Sequence, residues 1–121
     1  MKRVLLCVLF VAQSLGCSPS AWAHAFLDHA TPAVGSTVRS SPPEVKLWFT
    51  QELEPAFSSV RVEDAGGKQV DGNDAKVDAG DATLLEVSLP KLEPGRYRVR
   101  WRVLSVDTHV TEGDFTFDVA R

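Results

Sequence analysis

Three residues able to bind a metal ion stand at two places far apart in the chain, His24 and the pair Asp107 and His109. His24 directly follows Ala21-Trp22-Ala23, a small-x-small sequence of the kind at which export signals are cut. Cleavage after Ala23 makes His24 the first residue of the mature protein. Its free α-amine and its ring Nδ1 can then close a six-membered chelate on one metal ion.

Asp107 and His109 are two residues apart, a spacing that puts both side chains on one face of extended backbone. An amine, two imidazoles and a carboxylate give a set of three nitrogens and one oxygen. Such ligation in a square-planar arrangement is characteristic of Cu(II). Because no Cys or Met follows residue 23, sulfur ligands that select Cu(I) are absent. We therefore predict one Cu(II) per chain, held by His24, Asp107 and His109.

Each half of this site is a weak signal by itself. A lone Asp-x-His is usually a surface turn, and a histidine after a cleavage site can be an accident of signal cutting. Together in one small exported domain they are a much stronger signal. The sequence leaves open whether His29, Gln51 or Glu52 also contributes to the site.

The first 23 residues have the features of a cleavable export signal. Lys2 and Arg3 form a basic start, and Val4 to Ala12 is almost wholly apolar. That run is about half of the roughly 20 residues that a spanning helix needs. We expect a signal peptide over 1–23 and a periplasmic domain over 24–121.

Lipidation is the alternative to this cleavage. Leu15-Gly16-Cys17 resembles the site at which lipoprotein signals are cut and acylated, although Ser14 stands where that motif normally has Leu. Acylation at Cys17 would leave His24 internal and remove the amine ligand.

The composition of the mature chain limits what it can be. Removing 23 of 121 residues leaves 98, the size of one small domain. Both cysteines precede residue 24, so the mature form has no disulfide. Loss of Lys2 and Arg3 leaves 11 basic against 16 acidic residues, a net charge of −5. This charge argues against nucleic acid as a partner.

Alternating apolar and polar residues recur through the mature chain, with turn signals between them. The apolar positions are Val45, Leu47 and Phe49; Val60 and Val62; Leu85, Val87 and Leu89; Tyr97, Val99, Trp101 and Val103; and Phe115, Phe117 and Val119. This pattern predicts an all-β sandwich of about seven strands, with short strands near Phe26 and between Lys68 and Val77. Tyr97 after Pro94-Gly95 predicts a tyrosine corner. The four arginines at 96, 98, 100 and 102 are expected on the outward face, paired with carboxylates of neighbouring strands.

These residues together resemble the CopC family of periplasmic copper-resistance proteins. The resemblance rests on His24, 31–36 (TPAVGS), 47–50 (LWFT), 92–101 (LEPGRYRVRW) and 105–109 (SVDTH). It implies a seven-stranded Greek-key β-sandwich, immunoglobulin-like and related to cupredoxins, with a Cu(II) site made by His24, Asp107 and His109. It also implies an inner-membrane CopD-like partner.

Two departures from the family pattern limit what this resemblance implies. Some members have a methionine-rich Cu(I) loop, and the mature chain has no methionine. Some also place a Glu near the site, where Gln51 and then Glu52 stand here.

The leading hypothesis is a monomeric, non-catalytic Cu(II) carrier or buffer. One alternative is a copper oxidase or monooxygenase-like enzyme that uses the same histidine chelate. In that case Asp107 would occupy the position that oxygen needs. The other alternative is a metal-free immunoglobulin-like interaction module.

Overall fold

The computed structural model describes residues 25–121, which form eight β-strands and one 3-10 turn. The strands are β1 (Leu27–Thr31), β2 (Thr37–Val38), β3 (Glu44–Phe49), β4 (Ser59–Glu63), β5 (Lys76–Val77), β6 (Leu84–Ser88), β7 (Gly95–Leu104) and β8 (Val110–Val119), and the turn is Pro55–Phe57. The predicted export signal and His24 lie outside the described residues. Within 25–121, no helix is long and apolar enough to span a membrane.

The strands form two four-stranded sheets, ordered β1-β3-β6-β5 and β2-β8-β7-β4. Neighbouring strands are antiparallel except β2, which runs parallel to β8. The all-β sandwich predicted from the sequence is confirmed, with eight strands rather than seven. The additional strand, Thr37–Val38, is too short to show an alternating pattern in the sequence.

The predicted apolar positions build the core between the two sheets. On β3, Val45 and Leu47 are fully buried and Phe49 is nearly so, while the residues between them are partly exposed. The same alternation runs along β7, where Val99 and Val103 are fully buried. Side chains of both inner faces interdigitate in such a sandwich, and burial of their apolar surface stabilises the fold.

Tyr97, the residue predicted to form a tyrosine corner, stabilises the turn that precedes β7. The Tyr97 hydroxyl donates a hydrogen bond to the carbonyl of Glu93 at 2.6 Å, and the side chain is buried. Burial raises the pKa of this phenol, which keeps its proton available for the bond. The predicted tyrosine corner is confirmed.

β7 and β8 form a ten-residue ladder from Gly95 opposite Val119 to Leu104 opposite Val110. Trp101 faces Gly113 across this ladder, and its ring also packs edge-on against Phe49 with centroids 5.1 Å apart. The missing side chain at position 113 leaves room for the indole.

The outward face of β7 carries the four arginines, and each is paired with a carboxylate on a neighbouring strand. The pairs are Arg96 with Asp118, Arg98 with Asp114, Arg100 with Glu63, and Arg102 with Glu112. This outward placement was predicted from the sequence and is confirmed. The stripe is therefore an ion-paired sheet surface with little net charge.

Candidate metal centre

The predicted pair Asp107 and His109 lies in the turn that joins β7 to β8. The Ser105 N–H donates to the His109 carbonyl at 3.0 Å, and the Thr108 N–H donates to the Ser105 carbonyl at 2.9 Å. Thr108 has a φ of 73°, in the left-handed region that β-branched residues rarely adopt. The chain therefore reverses direction within residues 105–109 instead of continuing as a strand.

This turn brings the two predicted ligand side chains together. His109 Nδ1 lies 3.3 Å from Asp107 Oδ1, and both side chains are about one-third exposed, at 37% and 34%. The two side chains are close, as their spacing predicted, but not because the backbone is extended. The reversal at Thr108 puts them side by side.

Ser105 supports Asp107 from inside the fold. Its side chain is fully buried, and its hydroxyl donates to Asp107 Oδ1 and also lies 3.2 Å from the His109 carbonyl. The pKa of the Asp107 carboxyl lies below its ordinary value, mainly because the carboxylate accepts this hydrogen bond and to a smaller extent because His109 is close. Desolvation has a smaller effect and raises the pKa. Sequence reasoning gave Ser105 no role, although a serine two residues before the aspartate is a detectable signal.

The start of the described chain is tied to the same end of the sandwich. Ala25 is fully buried, and its carbonyl accepts a 2.7 Å hydrogen bond from the Thr111 hydroxyl. Phe26 and Thr50 exchange two further bonds, of 3.0 Å from the Phe26 N–H and 2.9 Å from the Thr50 N–H. Thr111 is two residues after His109, so the first described residue lies beside the strand that begins at the predicted site.

The segment that holds Gln51 and Glu52 also borders this turn. The Glu52 carbonyl accepts from the Val106 N–H at 3.0 Å, and Leu53 forms an isolated bridge with Ser105. Gln51 is half-buried and Glu52 is exposed. Both residues, whose contribution to the site could not be decided from the sequence, therefore lie next to the turn.

His29 has partners of its own on β1. Its ring stacks on Trp48 with centroids 4.4 Å apart and planes 8° from parallel, and its Nδ1 lies 2.7 Å from Asp28 Oδ2. These contacts join His29 to the β1-β3 pair rather than to the turn at 105–109. In the described range 25–121, no three side chains of His, Cys, Asp or Glu are grouped closely enough to hold a metal ion. Asp107 and His109 therefore offer two ligands, not three.

Comparison with known proteins decides the family. A model of the CopC domain matches residues 27–120. The chain belongs to the CopC family. The family prediction made from the sequence is confirmed.

Individual relatives agree with this assignment. The chain is 38% identical over 103 residues to protein YobA of Escherichia coli K12, covering 84% of this chain and 83% of that protein. It is 35% identical over 124 residues to copper resistance protein C of Xanthomonas campestris pv. juglandis, covering 98% and 96%. The crystal structure of CopC from Methylosinus trichosporium OB3b superimposes with a TM-score of 0.75 at 41% identity, covering 80% of this chain and 94% of that one.

Membership of the CopC family sets the general function. CopC proteins bind or transport copper and are not enzymes, so this chain acts in copper resistance or copper transport. The prediction that it is not an enzyme is confirmed, and the oxidase alternative is wrong. The prediction of copper as its metal is also confirmed at this level.

Proposed function

We propose that this CopC-family protein carries one Cu(II) ion in the periplasm, bound by the amine and ring of His24 together with Asp107 and His109. The observation that carries the proposal is the hydrogen bond from Thr111 to the Ala25 carbonyl. Consecutive Cα atoms are about 3.8 Å apart, so this bond supports a ligand one residue before Ala25 as a partner for Asp107 and His109.

The chemistry of the donor set supports Cu(II) as the cargo. Asp107 and His109 lie together but make only half of a four-atom ligand set. A terminal histidine supplies the other two atoms from a single residue. Nitrogen-rich, sulfur-free ligation favours Cu(II) over Cu(I), which prefers thiolate and thioether ligands.

This site requires that His24 be the mature N-terminus. A signal peptide over 1–23 meets that requirement, and it also delivers the domain to the periplasm. There the protein acts as a monomer that sequesters copper or passes it to an inner-membrane protein of the CopD type. Cu(II) bound by four protein ligands has no free equatorial position, which suits storage and transfer rather than oxygen chemistry.

The test combines intact mass with metal spectroscopy on the exported protein. We expect a mass that begins at His24, one Cu(II) per chain, and a tetragonal electron paramagnetic resonance spectrum dominated by nitrogen ligands. An extra residue ahead of His24 should weaken binding severely, because the amine is then out of chelating distance.

Two histidine variants provide the matched comparison. His109→Ala should weaken copper binding by about 10-fold or more, since one of the four ligand atoms is lost. His29→Ala removes an exposed histidine that is paired with Asp28 and should leave binding unchanged. A spectrum of the thiolate type, or equal binding by the extended and cleaved forms, would refute the proposed ligand set.

A further inference from the structure

Large apolar side chains are unevenly distributed over the surface of the described chain. Among residues 25–121, the exposed large hydrophobic residues are Phe26, Val34, Phe57, Val106 and Val110. All except Val34 belong to the end of the sandwich that holds Asp107 and His109, which we call the site end. Val34 lies in the turn after β1, toward the opposite end. Single exposed hydrophobic residues are ordinary, whereas several at one place mark an interaction surface.

The exposed apolar residues flank the proposed ligands along the chain. Val106 directly precedes Asp107, Val110 directly follows His109, and Phe26 comes two residues after the proposed amine ligand. These side chains are 49%, 50% and 58% exposed, respectively.

Phe57 lies on the same surface, near the C-terminal end of β7. The neighbouring Ser58 hydroxyl accepts a 3.2 Å hydrogen bond from the Leu104 N–H, and Leu104 pairs with Val110 in the β7-β8 register. Phe57 is 69% exposed, the most exposed of the large hydrophobic residues in the described chain. We call Phe26, Phe57, Val106 and Val110 the apolar collar.

The charges of the site end are strongly one-sided. The loops and strand ends at this end of the sandwich are residues 49–58, 78–84 and 102–112. Backbone hydrogen bonds connect them: the Leu53 N–H donates to the Ala82 carbonyl at 2.9 Å, and the Glu54 N–H donates to the Leu104 carbonyl at 2.8 Å. The carboxylates on these segments are Glu52, Glu54, Asp78, Asp81, Asp107 and Glu112. The single Lys or Arg on them is Arg102, which is paired with Glu112.

We propose that the apolar collar is the docking surface for a copper-binding protein whose contact face has an apolar centre and a basic rim. This inference rests on the copper-carrier function proposed above. Docking on the collar brings the partner's ligands to the ion while apolar contact excludes water around it. The acidic surroundings favour approach of a basic face and speed the encounter.

A second copy of the chain suits this surface poorly. A two-fold dimer places the same patch of both molecules face to face, so the acidic site ends would meet each other. Like charges brought together in this way oppose association. The one-sided charge thus selects a partner of opposite sign.

Photo-crosslinking in the bacterium that encodes the full chain tests this docking surface. The variant Phe57→p-benzoylphenylalanine puts the crosslinker in the collar, and Val34→p-benzoylphenylalanine is the control at a similarly exposed apolar site. We expect copper-dependent adducts from position 57 with a protein that itself binds copper, and about fivefold fewer or none from position 34. Adducts between copies of the chain, equal yields from both positions, or no adducts would overturn the proposal.

Substitutions separate docking from copper binding. Phe57→Ser should keep the copper affinity of the purified parent but lower adduct formation from a crosslinker at Val106 by about fivefold or more, unlike Val34→Ser. Glu112→Lys should also lower adduct formation, whereas Glu93→Lys at the other end of β7 should not. Unchanged adduct yields in Phe57→Ser and Glu112→Lys would refute the docking surface. Failure of the parent chain to bind Cu(II) would instead refute the proposed function.

Discussion

Replacing Ser105 by alanine tests whether the turn is preorganised for copper. The hydroxyl is fully buried, donates to Asp107 and also lies 3.2 Å from the His109 carbonyl. The backbone N–H donors of Ser105 and Thr108 close the turn without it. The turn should therefore persist in Ser105→Ala while the Asp107 carboxylate loses its orientation. Loss of a group that orients a metal ligand typically costs 10- to 100-fold in metal affinity. Because the backbone bonds remain, we expect about 10-fold for Cu(II).

The same substitution should destabilise the metal-free protein modestly. One hydrogen bond of a buried hydroxyl contributes about 1 kcal/mol to the free energy of unfolding. For a domain of this size, that lowers Tm by about 4–8 °C. Since the Asp107 pKa is lower in the folded chain than in the unfolded one, its interactions stabilise the fold above the ordinary carboxyl pKa. This stabilisation is lost as pH falls through the folded-state value, so parent and variant should converge in stability in acid.

Competitive chelator titration near pH 7.5 and thermal unfolding without copper measure the two effects. Ser58→Ala is the matched control, because Ser58 is also buried at the site end but bonds the backbone of Leu104. We expect it to lower Tm similarly and to leave copper affinity unchanged. Parent-like affinity in Ser105→Ala, or equal affinity losses in both variants, would show that Ser105 does not position the ligand.

Three further predictions follow from the core and the ligand set. Tyr97→Phe should lower the free energy of unfolding by about 1 kcal/mol, measured by denaturant titration, because it removes the corner hydrogen bond. Gly113→Ala should cost about 1–3 kcal/mol in the same measurement, because a Cβ there lies 2.5 Å from the Trp101 ring, and Trp101→Leu should reduce that cost. Copper affinity should fall as pH is lowered, because protons compete for the amine and imidazole ligands. Chelator titrations between about pH 5.5 and 7.5 should show a shallower dependence of affinity on pH for His109→Ala than for the parent, and an unchanged dependence for Asp107→Ala.

The strands could be predicted from the sequence because their determinants are local. Buried and exposed residues alternate along β3 and β7 just as apolar and polar residues alternate in the sequence. β2 is the exception, since its parallel pairing with β8 depends on residues far away in the sequence. The Tyr97 corner was also predictable, because a short turn and one hydroxyl define it.

The residues of the Asp107 and His109 pair could be chosen from the sequence, but the turn that brings them together could not be predicted from it. Residue types alone selected Asp107 and His109, and their spacing made contact between them plausible. Their actual contact depends on a left-handed Thr108, which no propensity favours for a β-branched residue, and on a buried Ser105 hydroxyl. A strained turn of this kind persists because the ten-residue ladder of β7 and β8 fixes both of its ends.

The strained backbone at Thr108 and the buried Ser105 both mean that this turn is ordered before a copper ion arrives. A flexible turn would have to order two ligands when the ion arrives, and the lost conformational freedom would weaken binding. Here the fold orders Asp107 and His109 beforehand, and the Thr111 bond fixes Ala25 next to them.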